Sequence, residues 1–292
     1  MTAELPPFSQ LHIDVARFAT DDFNPFHDPG KWHRLRDNPF GSPIVLGFQT
    51  ATWLAEQVEI HRREHDDPGL LAQLPVCHWQ LNFAAAIKPG QSCRLTIRPG
   101  RYDETKGVLS NRVLLKHGRH PLLLGQHGRC RQLAEDGEDV PSALAARPDR
   151  SELEGGWFLK RKFMMTANAK NFLLGCQVPP QRYFDELEDR VRFPYMFPVS
   201  YVSCALLERA RCRGHDFEAE PMVYARHEIQ IDLQVAETLR SNARLHILVR
   251  PEREDDAGQH FQCRGLIDDT PLFRADIVLV PLARIVAALQ RR

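Results

Sequence analysis

FATDDFNPFHDPGKW at residues 18–32, followed by SPIVLGFQTATWLAEQVEIHRREH at residues 42–65, is the stretch on which the fold of this chain turns. The first part is dense in Asp, Asn, Pro and Gly, which is loop chemistry. The second part changes character: Ser42 suits a helix cap and Pro43 a first helical turn. Ile44, Phe48, Ala51, Leu54 and Val58 then recur at steps of three and four residues and draw one apolar stripe along a helix. The Ala, Thr and Trp residues between them imply burial on more than one side.

Upstream, residues 8–17 mix apolar and polar positions and are expected to enter the fold as a strand. Downstream of Pro75, VCHWQLNF, CRLTIR, VLSNRVLL and PLLLGQHGRCRQL are short runs separated by turn signals, with residues 102–107 and 116–120 reading as hairpin connections. The order is therefore loop, helix, then several antiparallel strands. Residues 134–152, AEDGEDVPSALAARPDRSE, are charged, Pro-containing and without periodicity, the composition of a linker.

The second half repeats these landmarks in order. FLLGCQVPPQRYF at 172 lies over FATDDFNPFHDPG at 18, and FPVSYVSCALLERA at 197 over SPIVLGFQTATWLA at 42. QIDLQVAETLRSNARL at 230 lies over QLNFAAAIKPGQSCRL at 80, and PLFRADIVLV at 271 over PLLLGQHGRC at 121, all at offsets of 150 to 155 residues. Two similar domains are expected, 1–135 and 153–292, joined by a linker at 136–152. The length of 292 residues is comfortable for two domains of ordinary size.

Composition narrows the function classes. Apolar residues make up 43% and charged residues 26%, a normal balance for a globular chain. Lys plus Arg equals Asp plus Glu at 38 each, so there is no electrostatic case for a nucleic-acid or membrane partner. No apolar run reaches the roughly 18 residues that a bilayer-spanning helix needs. Residues 1–10 lack a basic segment followed by an apolar one, and so do not read as a signal peptide. The seven cysteines are scattered, with no C-x-x-C pair; reduced thiols in the cytoplasm are the plain reading.

Asp22-Phe23-Asn24-Pro25-Phe26-His27 places a carboxylate, an amide and an imidazole within six residues, just before a helix start. Adding water across a double bond, or removing it, needs a group that takes a proton and a route that supplies one to carbon; Asp and His both suit that work. Negative charge that builds on a carbonyl oxygen is met well by the unpaired N–H groups of a helix N-terminus. The segment from Ser42 to Gly47 offers such a terminus, and Gly47 permits close approach by a ligand. Singly, Asp22 could be a turn residue and His27 a surface histidine. Their spacing before this helix favours the functional reading.

Here the chain resembles the MaoC-like, or hydratase 2, family, whose signature is D-x-N-P-x-H followed by a helix opening with P-I-x-x-G. LNFAAAIKPGQSCRL also resembles a later strand of that family and its Pro-Gly turn. The resemblance implies an α+β fold, a double hotdog, in which each domain is a long helix wrapped by an antiparallel sheet. It implies reversible hydration of trans-2-enoyl thioesters, or dehydration of (R)-3-hydroxyacyl thioesters, of CoA or acyl carrier protein. By the resemblance Asp22 and His27 hold and activate water, Asn24 positions the loop, and Gly47 donates its N–H to the thioester oxygen. It implies no cofactor and no metal, and either a monomer, as an internal pseudo-dimer, or a homodimer.

Two departures stand out: Asp21 replaces the family's usual Gly before the Asp, and Leu46 replaces the usual His before Gly47. In the second half, alignment puts Cys176 and Gln181 where Asp22 and His27 stand, so one active site per chain is expected. His61–His65 formally matches H-x-x-E-H, but reads as a solvated helix end; Trp53 and Trp79 read as core, and residues 185–192 and 255–256 as solvated charge. A thioesterase on the same fold, or a non-catalytic acyl-binding partner subunit, remains as an alternative.

Overall fold

The computed structural model describes residues 1–134 and 140–290. A short edge strand β1 (Thr2–Leu5) is followed not by a strand but by helix α1 (Gln10–Ala19). The reason is a capping box: Ser9 Oγ accepts from His12 N–H and His12 Nδ1 accepts from Ser9 N–H. Ile13, Ala16 and Ala19 then bury one face at three-residue spacing. The long helix α2 spans Gly47–His65, so Pro43 does not open it as the sequence suggested. Tertiary bonds hold residues 42–46 out of the helix: Ile44 N–H donates to Phe26 O (3.0 Å), Ile44 O accepts from His27, and Val45 N–H donates to Ile87 O (2.9 Å). Trp53 and Leu54 of α2 are buried as expected; His61 is buried too, which corrects the reading of that helix end as fully solvated.

A single helical turn α3 (Pro68–Ala72) leads into β2 (Val76–Phe83), β3 (Cys93–Ile97), β4 (Arg101–Asp103), β5 (Val108–His117) and β6 (His120–Cys130). The second half contributes β7 (Ser151–Glu152), β8 (Phe158–Phe163), α4 (Thr166–Gly175), the two-residue pair β9 (Phe184–Asp185) and β10 (Arg190–Val191), and the long helix α5 (Met196–Cys212). It continues with β11 (Met222–Asp232), α6 (Leu233–Glu237), β12 (Arg244–Asp255), β13 (Gly258–Ile267), β14 (Thr270–Pro281) and α7 (Leu282–Gln290).

Among the described residues one 12-stranded sheet runs β1-β3-β5-β6-β2-β11-β14-β13-β12-β8-β7, with β4 paired to β5, and its pairings are antiparallel. The central pair is β2 with β11, and outward from it β6-β5-β3-β1 on one side matches β14-β13-β12-β8 on the other, with β7 extending the second wing and β4 flanking β5 in the first. Each wing closes its last hairpin in chain order with two residues. His117 pairs with His120 across Gly118 and Arg119, and Ile267 pairs with Thr270 across Asp268 and Asp269. Gly118, Asp268 and Asp269 all have positive φ, as a tight two-residue hairpin demands. The two long helices α2 and α5 are each wrapped by one wing, the α+β double hotdog architecture.

Trp79, Ile229, Phe197, Val202 and Ile277 belong to one continuous core that runs through both wings. The short helices α1 and α4 cross at very close range: a Cβ on Gly175 would lie 2.8 Å from Ala16 Cβ and from His12 O. Gln49 Nε2 donates to Gly175 O (2.6 Å), which fixes α2 to that crossing. Of the stretch read as a linker, residues 136–139 lie outside the described residues, and Leu144 is buried with Trp157, Leu159 and Leu248. No helix among the described residues is long and apolar enough to cross a membrane.

Candidate active site

The loop after α1 is built by its own side chains. Thr20 caps the helix, Asp21 takes a left-handed φ of 52°, and Asp22 N–H returns to Arg17 O (2.8 Å). That conformation is free to glycine and strained for other residues; at Asp21 the side chain forms an ion pair with Lys162 of β8. Asp22 Oδ1 accepts from Asn24 N–H (3.0 Å), and Asn24 Oδ1 accepts from Phe26 N–H (3.1 Å). These are Asx turns, with Pro25 opening the short turn Pro25–His27 that ends in the imidazole. Arg17 braces the far side, bonding Asp14 (2.8 Å) and Asp28 (3.1 Å).

His27 is buried, with 5% exposure, and its Nδ1 lies 2.8 Å from Ile44 O. A carbonyl can only accept, so Nδ1 carries the proton and, in the neutral ring, Nε2 is the free base. Asn24, His27, Gly47 and Thr50 line one cavity of about 510 Å3, whose other walls include Phe83, Leu206 and Tyr224. Gly47 begins α2 at this wall. Thr50 N–H is the first to bond back along the helix, to Leu46 O (3.1 Å), so the amides of Gly47, Phe48 and Gln49 precede the ladder. A Cβ on Gly47 would come within 3.3 Å of Phe83 and 3.4 Å of His227; the position is tight on its inner side.

Asp22 does not line that cavity. It lies behind the wall at 4% exposure, and its Oδ2 accepts from Ser203 Oγ of α5 at 2.6 Å. Ser203 Oγ in turn accepts from Tyr224 OH of β11 at 3.0 Å. Burial raises the Tyr224 phenol far above its ordinary range, and the nearby Asp22 charge adds to this, so Tyr224 stays a donor. Thus Asn24, His27 and Gly47 share one cavity, while Asp22 is tethered to the second half. Ser203 and Tyr224 escaped the sequence reading, because nothing local marks a serine inside a buried helix as the partner of a loop 181 residues away.

His227 is a further neighbour. Its ring stacks on Phe48 at 4.6 Å and meets Phe83 and Tyr224 edge-on. Burial alone pushes its pKa down to about 3, so it is a neutral wedge behind the start of α2.

The same local construction recurs after α4. Gln177 has a φ of 56°, Val178 N–H returns to Leu173 O (2.9 Å), and a Pro-opened turn spans Pro180–Arg182. These bonds put Val178 and Arg182 in the places of Asp22 and His27, a shift from the Cys176 and Gln181 of the sequence alignment. Cys176 is the cap at the helix end and Gln181 is inside the short turn. Arg182 bonds the carboxylate of Glu56, and Tyr183 OH donates to Glu56 Oε2 at 2.6 Å. The cleft beside them is wide and polar, with Glu59 held by Arg129 at 2.9 Å. Among the described residues no group of three His, Cys, Asp or Glu converges as a metal site, His61 and His65 included.

No family model and no curated protein matches this chain. Among solved structures, a MaoC-like dehydratase matches with TM-score 0.58 and 8% identity over 96% of this chain and 97% of its own. A MaoC-like dehydratase from Phytophthora capsici matches with TM-score 0.54 and 9% identity over 95% and 94%. HtdX of Mycobacterium tuberculosis matches with TM-score 0.51 and 11% identity over 95% and 99%. At such identities the likeness is one of fold: the chain has the full-length architecture of MaoC-like dehydratases.

Proposed function

We propose that this protein is a hydro-lyase that reversibly hydrates trans-2-enoyl thioesters to (R)-3-hydroxyacyl thioesters. The observation that carries the reading is His27: its tautomer is fixed by Ile44 O, and it opens on the same apolar cavity as the amide terminus of α2. The thioester carbonyl docks at the Gly47 amide, where charge developing on its oxygen meets unpaired N–H groups. His27 Nε2 takes a proton from water as the oxygen adds to the β-carbon. The imidazolium then supplies the proton that the α-carbon requires. Asp22, held by Ser203 and the Asn24 amide, offsets the imidazolium charge from behind the wall and completes the dyad. Asn24 shapes the loop through its cap on Phe26.

We read residues 1–135 as the unit that carries the chemistry and 153–292 as a copy that has exchanged the acid–base pair for Val178 and Arg182. The acyl carrier, CoA or acyl carrier protein, enters as substrate; no cofactor takes part in the scheme.

The test follows the enoyl-thioester absorbance with trans-2-enoyl-CoA substrates while free thiol is titrated in parallel. Loss of the enoyl band without thiol release, abolished in His27→Ala, supports the hydratase. Thiol release transfers the case to a thioesterase, and silence in both channels to a non-catalytic acyl-binding role.

A further inference from the structure

Leu206, Leu207, Arg209 and Ala210, on the C-terminal half of α5, form one wall of the cavity that holds His27. Arg209 is the anomaly in that wall. It is 7% exposed, and no hydrogen-bond acceptor or carboxylate pairs with it among the described residues; its Nε is buried with no partner at all. Its guanidinium carbon lies 5.7 Å from the ring centroid of Phe261, another wall residue. Arg213, one turn on, is different: it is half exposed and paired with Glu152 at 3.0 Å. The cavity therefore carries one guanidinium with no direct hydrogen-bond or ion-pair partner among the described residues, beside the Glu152-paired Arg213 and the Glu220 carboxylate. Burial first, and then the neighbouring Arg213, work against that charge, while Glu152 favours it from a distance. An unpaired buried cation is costly, and such sites are as a rule completed by an anion.

We propose that Arg209 is a specificity residue that binds a carboxylate on the acyl portion of the substrate, so that the preferred substrate is a short dicarboxylic enoyl thioester. The proposal rests on the hydro-lyase reading of the cavity. The planar fork of a guanidinium matches a carboxylate bidentately. One guanidinium without a direct partner matches a monoanion, whereas a phosphate dianion would leave negative charge in an apolar enclosure. The distance fits a short chain. Ser203, which holds Asp22, is six residues before Arg209 on the same helix, about 9 Å along its axis. A cavity of about 510 Å3 also suits an acyl group and part of its pantetheine arm better than a nucleotide.

The experiment is calorimetric binding of saturated thioesters of matched length, hexanoyl-CoA and adipyl-CoA, to the wild-type protein and to Arg209→Met and Arg209→Lys. Wild type is expected to favour adipyl-CoA by on the order of 10- to 100-fold, the worth of a charge-assisted bond. In Arg209→Met the ratio falls to about one, and Arg209→Lys restores part of it. Equal binding of the two esters by wild type overturns the proposal and needs no variant, so a misfolded variant cannot obscure it. Equal weakening of both esters in Arg209→Met also overturns it, because it assigns the residue to the CoA phosphates. Failure of the underlying reading shows instead in the enoyl-thioester assay: a preference for adipyl-CoA without enoyl hydration keeps Arg209 as a carboxylate site and removes the hydro-lyase, whereas a wild type that binds neither ester removes both.

Discussion

The loops after α1 and α4 are two versions of one construction, and they have gone opposite ways. Both leave their helix through a left-handed residue, Asp21 or Gln177, and both re-enter through a Pro-opened turn. In the first, the turn presents an imidazole with one free nitrogen to an apolar cavity. In the second, it presents Arg182 to Glu56, and the residue facing Asp22's place is Val178. A base that must exchange protons needs a vacant position, and a salt bridge fills it. Yet the second half is not a bystander. Its helix α5 supplies Ser203 to Asp22, and its strand β11 supplies Tyr224 and His227 around the start of α2. On the proposed reading, one loop carries the chemistry while the other wing holds it in place.

The sharpest way to break this contrast is to disable each loop in turn. His27→Ala and Asp22→Asn should lower kcat by about 10²- to 10⁴-fold, the usual worth of an acid–base group. Arg182→Ala should leave turnover unchanged and appear only as a lower melting temperature. Steady-state rates for the three variants decide it; comparable losses at Arg182 would mean that the second loop also reacts.

Acid stability compares the two wings next. Each contains a buried neutral histidine. His227 has a pKa of about 3, and His127, bonded by Arg62 Nε (3.0 Å) and facing Cys77 Sγ (3.1 Å), is held well below its ordinary value by burial first and then by Arg62. Between about pH 3 and 6.5 the unfolded chain binds a proton at His227 that the folded chain refuses. Stability present above pH 6.5 is therefore lost as pH falls, by about 1.4 kcal/mol per pH unit for one such group. Denaturant titrations from pH 7 to 4 should show this slope, and His227→Leu should lessen it by that amount. An unaltered slope would mean that His227 is protonated in the fold.

A matched pair of substitutions separates catalysis from stability. Ser203 and Tyr183 each donate to a buried carboxylate at 2.6 Å, Ser203 to Asp22 and Tyr183 to Glu56. Losing a bond to a charged group costs about 1.5–3 kcal/mol. At Ser203→Ala that cost should appear in kcat, as a roughly 10- to 100-fold fall with little change in KM. At Tyr183→Phe it should appear in unfolding free energy alone. Parallel kinetics and denaturant melts read both; a kcat loss at Tyr183 would sink the distinction.

Much of this was legible beforehand, for physical reasons. Val76–Phe83 and Val108–His117 alternate buried and exposed positions, and a period of two is visible in any sequence. The stripe from Phe48 to Val58 reports α2 equally well, and D-x-N-P-x-H makes its own turns from local bonds. The misreadings share a cause. Pro43 resembles a helix start, but Ile44 and Val45 are claimed by Phe26 and Ile87 across the fold. Residues 8–17 look mixed because a ten-residue amphipathic helix samples both faces; the Ser9–His12 cap was the signal to weigh. Ser203, Tyr224 and Arg209 gain meaning only from partners or walls far away in sequence, which periodicity and spacing do not encode.

The smallest effect tests the outer end of that long-range chain. Tyr224 OH donates to Ser203 Oγ, a neutral pair, so Tyr224→Phe removes about 0.5–1.5 kcal/mol of support from a serine that still reaches Asp22. The expected loss in kcat is at most about tenfold and smaller than at Ser203→Ala. If Tyr224 acts only through Ser203, the double variant should be no slower than Ser203→Ala alone, because the second deletion has nothing left to orient. Full additivity would instead place Tyr224, which also lines the cavity, in direct contact with substrate. The cycle thus tells whether β11 serves the loop through α5 or meets the acyl group itself.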